Sequence, residues 1–354
     1  RLHVTGGFEI NTTNTDFSEF ENEQGNPGDL QEKSITVSNQ NHAFLKVHNL
    51  GWNRHNFEVA ASINMLNYMH TDSFSVDSVD HSQTIRFNPT ILPSFTYFYD
   101  ASNTRFPILI WAKVAYGIAP PTLWEVLRAD GSINADLQPE RGLNFELRAR
   151  HRLRNRRFSA EINLYSFQLQ DAILPTTLST GETIFSNAGT TQQNGAEFLL
   201  EFIHKTPEMH LAFKGTSGLQ FYSFGDYVKG GEDLGGNDLT GVPRATFGLH
   251  GFLNHNIGLS FHANANYTGR TPVNDDNSVY QDGYLLLSTK IAWNFHLLGE
   301  GDIWQKKIKL TPYIGGNNLL DARYSNFLQL NGFGGRLWNP APARNFYAGL
   351  DLQF

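Results

Sequence analysis

The side chains best suited to hold a solute lie in the polar stretches between apolar runs. Trp124 and Arg128 combine an aromatic face with a fixed positive charge, which suits an anionic chelate. Tyr222, Tyr227, Tyr280, Phe327, Phe333, Arg336 and Trp338 lie in or beside other such stretches, and as a group they are the expected ligand contacts. Taken singly, a loop aromatic more often packs on its neighbours. The 13 histidines stand alone, without the i, i+2 or i, i+4 spacing that gathers imidazoles on one face, so no metal site is expected. Asp275-Asp276-Asn277 and Glu232-Asp233 have the composition of a calcium loop but read better as solvated charge.

Covalent and nucleotide chemistry find no support. There is no cysteine, no Gly-x-Ser-x-Gly elbow, no phosphate-binding Gly-Lys-Ser/Thr loop and no His-Glu-x-x-His, so no catalytic residue, enzyme activity or cofactor is assigned. A net charge of −7 argues against nucleic acid. The one basic run, Arg148, Arg150, Arg152, Arg154, Arg156 and Arg157, straddles a short turn.

The elements that must position these residues are strands. Residues 345–354 alternate apolar Phe346, Ala348, Leu350, Leu352 and Phe354 with Tyr347, Gly349, Asp351 and Gln353, giving one greasy and one wet face. About fourteen such segments are expected, near 2–12, 31–50, 57–69, 83–98, 107–117, 141–151, 158–170, 193–204, 209–222, 242–253, 257–268, 283–297, 306–316 and 344–354. Most suit a tilted strand crossing hydrocarbon, whereas no apolar run approaches the roughly 20 residues of a helical span. Leu143, Phe145, Leu147 and Ala149, and Ile257, Leu259, Phe261, Ala263, Ala265 and Tyr267, face lipid. Asn144, Glu146, Arg148 and Arg150, and Gly258, Ser260, His262, Asn264, Asn266 and Thr268, face a hydrated lumen.

Connections alternate in length. Short links at 53–56, 152–157, 205–208 and 254–256 separate long polar loops near 13–30, 70–82, 118–140, 171–192, 223–241, 269–282 and 317–343. Short turns on one side and long loops on the other are the pattern of outer-membrane barrels, with the long loops extracellular and the C-terminus periplasmic. Trp52, Tyr97, Tyr99, Tyr116, Tyr267, Trp293 and Trp304 are candidates for interfacial aromatic belts. The fold class is therefore all-β, a transmembrane antiparallel up-and-down barrel forming a single domain over residues 1–354.

Five blocks carry a family resemblance. Tyr116 to Leu127, containing Gly117, Ala119, Pro120 and Glu125, resembles the G-F-x-A-P-t-l-x-E-l-y segment of TonB-dependent outer-membrane receptors. Leu137-Gln138-Pro139-Glu140 with Asn144 to Glu146 resembles the block that follows it. Asn187-Ala188-Gly189 with Gly195-Ala196-Glu197 is similar to N-x-G … G-v-E. Asn317 to Tyr324, containing Asn318, Leu319 and Asp321, resembles v-x-N-L-f-D-x-x-Y, and Pro342 to Gly349 resembles the last block ahead of Phe354.

The resemblance implies the C-terminal part of a barrel of 22 strands, without the N-terminal plug. It further implies transport of a scarce solute, such as a ferric siderophore or similar metal chelate, with TonB acting through the absent plug. Haem receptors of the family carry a histidine after the Ala-Pro segment, and residues 122–138 contain none. Phe354 resembles the C-terminal signal read by barrel-assembly machinery. The expected surroundings are the lipid bilayer of the bacterial outer membrane. Glycan or cobalamin import, and a complete passive channel of fourteen strands, remain open alternatives.

Overall fold

The computed structural model describes residues 2–76, 79–128, 132–153, 155, 157–177, 183–187, 189–297, 308–332 and 336–353. Its main element is one antiparallel sheet with fourteen principal strands. These are β1 (His3–Glu23), β2 (Asn26–His48), β3 (His55–Ser75), β4 (Thr90–Asp100), β5 (Ile108–Ala119), β6 (Glu140–Arg152) and β7 (Phe158–Gln170), followed by β8 (Thr191–Lys205), β9 (Met209–Phe224), β10 (Ala245–His255), β11 (Leu259–Thr268), β12 (Tyr284–Trp293), β13 (Ile308–Asn317) and β14 (Asn345–Gln353). Each pairs with its sequence neighbour, as an up-and-down meander requires. Two short pieces, Gln83–Arg86 and Phe295–Leu297, pair with β3 and β13. Among the described residues β1 and β14 are not paired with each other, so the sheet is open and the fourteen-strand closed channel is not formed.

Cross-strand register turns the alternation of each strand into two continuous faces. One row runs Val4, Val47, Val59, Phe95, Val114, Phe145, apolar at every step. The adjacent row on the opposite face runs Glu58, Thr96, Lys113, Glu146, Tyr165, Gly195, Gln220. Arg150 and Glu161 meet on this polar face at 2.7 Å, and Lys46 and Glu58 at 2.6 Å. On the apolar face large side chains such as Phe8, Ile91, Leu200, Leu249, Phe346 and Leu350 stand exposed. In water that surface would be a severe aggregation liability; in a bilayer it is the solvated one. The facing expected for β6 and β11 agrees with this register.

At the last hairpin two tyrosines lie over two glycines. Tyr313 is paired with Gly349 and Gly315 with Tyr347, and a Cβ on either glycine would stand within about 2.4 Å of the facing ring. Lys290 caps the Tyr313 ring at 3.9 Å.

Several expectations fail at the long-loop end. The loop expected at 13–30 is instead a continuation of β1 and β2, closed by a two-residue turn at Gln24 (φ 55) and Gly25 (φ 97). Residues 12–22 are polar apart from Phe17 and Phe20, which fall on opposite faces, so no period-two apolar row marks the strand although the ladder continues, with register shifts near Phe20. β3 likewise runs to Ser75, well into the loop expected at 70–82. The strand expected over 83–98 breaks at 87–89, where Pro89 has no N–H to donate. Four long loops hold small hairpins of their own: Ile173–Thr177 with Thr183–Asn187, Val228–Lys229 with Glu232–Asp233, Thr271–Pro272 with Tyr280–Gln281, and Ser325–Leu328 with Trp338–Pro340.

Candidate solute-binding cap

Five consecutive long loops are joined into one body over the polar face. The first leaves β5 at Pro120-Pro121 and makes the short helix α1 (Leu123–Val126), whose start is fixed by Glu125 accepting from the Thr122 backbone N–H at 2.6 Å. Val126, Ile133 and Leu137 are buried against Leu66 and Tyr68 of β3, with Ile85 and Phe87. The Tyr68 hydroxyl donates to the Pro121 carbonyl at 2.6 Å.

Ile173 and Phe185, from the hairpin after β7, pack on the same cluster. Polar clamps complete the junction. Asn187 donates to the carbonyls of Gln138 (2.8 Å) and Asp171 (2.7 Å) and accepts the Gln138 N–H at 2.7 Å. Asn134 donates to the Phe185 carbonyl at 2.7 Å, Glu140 accepts the Ile173 N–H at 2.8 Å, and Arg141 meets Asp171 at 2.7 Å. Leu174 then reaches a second apolar cluster of Phe224, Tyr227 and Leu234. Gly189 (φ 106) is needed where the chains cross, because a Cβ there would stand 2.3 Å from the Asp226 carbonyl oxygen.

Asp275 ties in the last two loops. Its Oδ2 accepts from Lys229 (2.7 Å) and the Tyr227 hydroxyl (3.1 Å), and its Oδ1 accepts from Thr240 (2.6 Å) and Asn331 (2.9 Å). Asn237 donates to its carbonyl at 3.0 Å, and its N–H donates to Asn331 at 3.0 Å. The residue is only 7% exposed. Burial pushes its carboxyl up, but the bonds from Lys229, Thr240 and Asn331 outweigh burial and hold it below the usual carboxylate range. Asp275 is thus no solvated surface charge, as its acidic neighbourhood had suggested. It is an anchor for three loops.

The predicted contact residues do not converge on one site. Trp124 stands on α1, 75% exposed. Arg128 donates to Asn134 at 3.2 Å inside the cap. Tyr222 lies on the inner wall, sharing a 2.7 Å hydrogen bond with Tyr165. Tyr227 is buried on Asp275, with its phenol pushed up by burial and that carboxylate, so it is cap structure and not a ligand surface. Tyr280 is covered by the Arg270 guanidinium at 3.7 Å. Phe327, Arg336 and Trp338 are exposed on or beside the last hairpin. Phe333, Trp304 and Phe354 lie outside the described residues.

The motif blocks act structurally in several places. Asn318 (φ 49) accepts the Ala322 N–H at 2.8 Å and donates to its carbonyl at 2.9 Å, Leu319 N–H bonds Leu287 O at 2.8 Å, and Asp321 accepts the Arg344 N–H at 3.1 Å. Tyr324 stacks on Tyr284 at 4.7 Å. Gly195 lies under Tyr165, and Glu197 accepts from Asn163 at 3.1 Å. Ala119 and Glu140 pair where β5 and β6 enter the cap, with Pro139 just before. Nothing in the structure explains Gly117. Among the described residues no group of three or more His, Asp or Glu side chains is arranged to hold a metal ion.

A fourteen-strand meander with one apolar face and a knitted crown of long loops has the architecture of an outer-membrane barrel wall. The family model described as "TonB dependent receptor-like, beta-barrel" matches residues 3–319, and the chain belongs to that family. Three solved structures share the fold. The ferric citrate transporter FecA in unliganded form is 13% identical with a TM-score of 0.73, covering 99% of this chain and 51% of that one. The ferric-catecholate import receptor Fiu from K12 E. coli is 15% identical, TM-score 0.68, with the same coverages of 99% and 51%. The copper transporter OprC is 16% identical, TM-score 0.71, covering 100% and 54%. The chain therefore spans about half the length of the structures it matches. Family and neighbours are receptors and transporters.

Proposed function

We propose that this chain is the wall and loop crown of a receptor that takes up a scarce metal chelate, of ferric-siderophore type, across the bacterial outer membrane. The observation that carries this reading is the crown itself, five loops tied together by Asn187 and Asp275 over a polar wall; Trp124, Tyr222, Phe327, Arg336 and Trp338 are its proposed contacts with the solute, Phe333 being proposed from the sequence alone, with Arg128 supporting the first loop and Tyr280 the fourth. Barrel and crown hold the solute and make or break no bond. Transport energy would come from TonB through a plug, insertion would use the barrel-assembly machinery at β14, and the long loops would face the medium.

The charge of the crown refines the cargo. Loops 223–244 and 269–283 carry Asp226, Glu232, Asp233, Asp238, Asp275, Asp276 and Asp282 against Lys229, Arg244 and Arg270, seven acids and three bases for a net −4. A neutral or cationic complex suits that side better than a polyanion. The test is uptake of a radiolabelled metal chelate by cells expressing the receptor, with and without a protonophore. Energy-dependent uptake abolished by deleting residues 223–241 supports the reading. Saturation-free, energy-independent permeation of unrelated small solutes would establish a passive channel instead.

A further inference from the structure

We infer that the short-turn rim between β2 and β7 is a binding site for the phosphate headgroup of an anionic phospholipid. Among the described residues of three successive turns, within 49–54, 101–107 and 153–157, stand Arg54, Arg105 and Arg157 and no acidic residue, whereas the long loops at the other end are rich in carboxylates. Strand order places these turns side by side. Backbone bonds join the first two (Asp100 N–H to Arg54 O, 2.8 Å), and His151 bonds the Pro107 carbonyl at 2.8 Å beside the third. Arg54, Arg105 and Arg157 are exposed there and form none of the described ion pairs, Arg54 lying within electrostatic reach of Asp100, one residue before the second turn.

Directly beside the charges lies an aromatic belt on the lipid-facing side. Trp52 (67% exposed) contacts His55 and Phe57 at ring distances of 6.2 and 5.9 Å, and His55 in turn bonds the Tyr97 hydroxyl at 2.8 Å. Phe106 (73% exposed) lies 6.0 Å beneath the Arg105 guanidinium, and Leu153 is exposed in the next turn. Positive charge stacked on interfacial aromatics matches a phosphate joined to acyl chains, and matches neither a free anion nor an acidic peptide, which would leave the apolar belt unused. The site is independent of the cargo.

The experiment is native mass spectrometry of the protein in detergent with added phosphatidylglycerol or phosphatidylcholine of equal chain length. Wild type should retain phosphatidylglycerol, and each of Arg54→Gln, Arg105→Gln and Arg157→Gln should lower that preference about fivefold. Arg323→Gln, in a long loop, should leave it unchanged, and Phe106→Ala should weaken both lipids. Strand content by circular dichroism confirms that each variant is folded. Equal retention of the two lipids, full preference in the folded triple variant, or complete displacement by millimolar inorganic phosphate or polyglutamate would each overturn the assignment.

Discussion

Replacing Asp275 by Asn should unfasten the crown while leaving the barrel wall intact. The amide keeps one acceptor for Thr240 and Asn331 but turns an N–H₂ toward Lys229 and Tyr227, both of which donate to Oδ2. A bond to a buried charge is worth about 1.5–3 kcal/mol, and a buried phenol left unpaired costs about 1–3 kcal/mol. Lys229 is 42% exposed, so its share belongs at the low end. The sum is about 2–4 kcal/mol of local stability, or roughly 30- to 700-fold in the opening equilibrium. Hydrogen exchange reads it directly. The amides of Gly241, Asn331 and Leu234, bonded to Pro272, Val273 and Tyr227, should exchange faster by that factor. Mid-strand amides of β9 and β10 should not change. Unaltered exchange in the three loops, or equal acceleration in the wall, would refute the anchor. In the wild type the carboxyl is held below its unfolded value, so its contribution is complete above about pH 4 and disappears as pH falls through the folded value. Protection should therefore be flat from pH 7 to 5 and fail only in stronger acid.

Asn187→Ala removes the two bonds that join its loop to Gln138, and a third to Asp171 within its own loop, and should accelerate exchange at Gln138 by about tenfold or more, without lowering global stability. Gly195→Ala places a Cβ 2.3 Å from the Tyr165 hydroxyl oxygen; it should cost about 1–3 kcal/mol in denaturant titrations of the refolded barrel. Leu249→Arg, on the lipid face, should cost about 2–4 kcal/mol when folding is measured into bilayer vesicles, and Lys214→Gln, on the polar face, far less.

The wall was legible because lipid on one side enforces a period of two that any register must respect. Phe145, Leu147 and their partners could be assigned to a face from spacing alone. Where the strands rise beyond the apolar band that constraint lapses: β1 continues through Thr12 to Glu23 and β2 returns from Asn26, with Phe17 and Phe20 on opposite faces and no alternating apolar row to mark them. The crown was legible least, because its anchors are side-chain bonds between loops far apart in sequence. Asp275 and Asn331 are 56 residues apart, and Asp275 looked like one more acid in a polar loop. Asn187 was flagged by resemblance, yet its role as a clamp on Gln138 and Asp171 needed the geometry. Aromatic residues misled in the opposite sense: Tyr227 looked offered to a ligand and is instead an internal tie.

Tyr313 over Gly349 and Tyr347 over Gly315 give the final hairpin a vernier. A slip of one residue reverses the faces of β14 and is forbidden by lipid. A slip of two preserves the faces, so hydrophobicity alone cannot prevent it. In one direction it brings Tyr347 opposite Tyr313, two rings competing for one space; in the other it leaves both rings without their sockets and sets Asp351 against Tyr313. A strand that can seat at only one offset carries its own alignment mark. Any machinery that inserts it has to deliver it near the edge, and the paired rings complete the measurement.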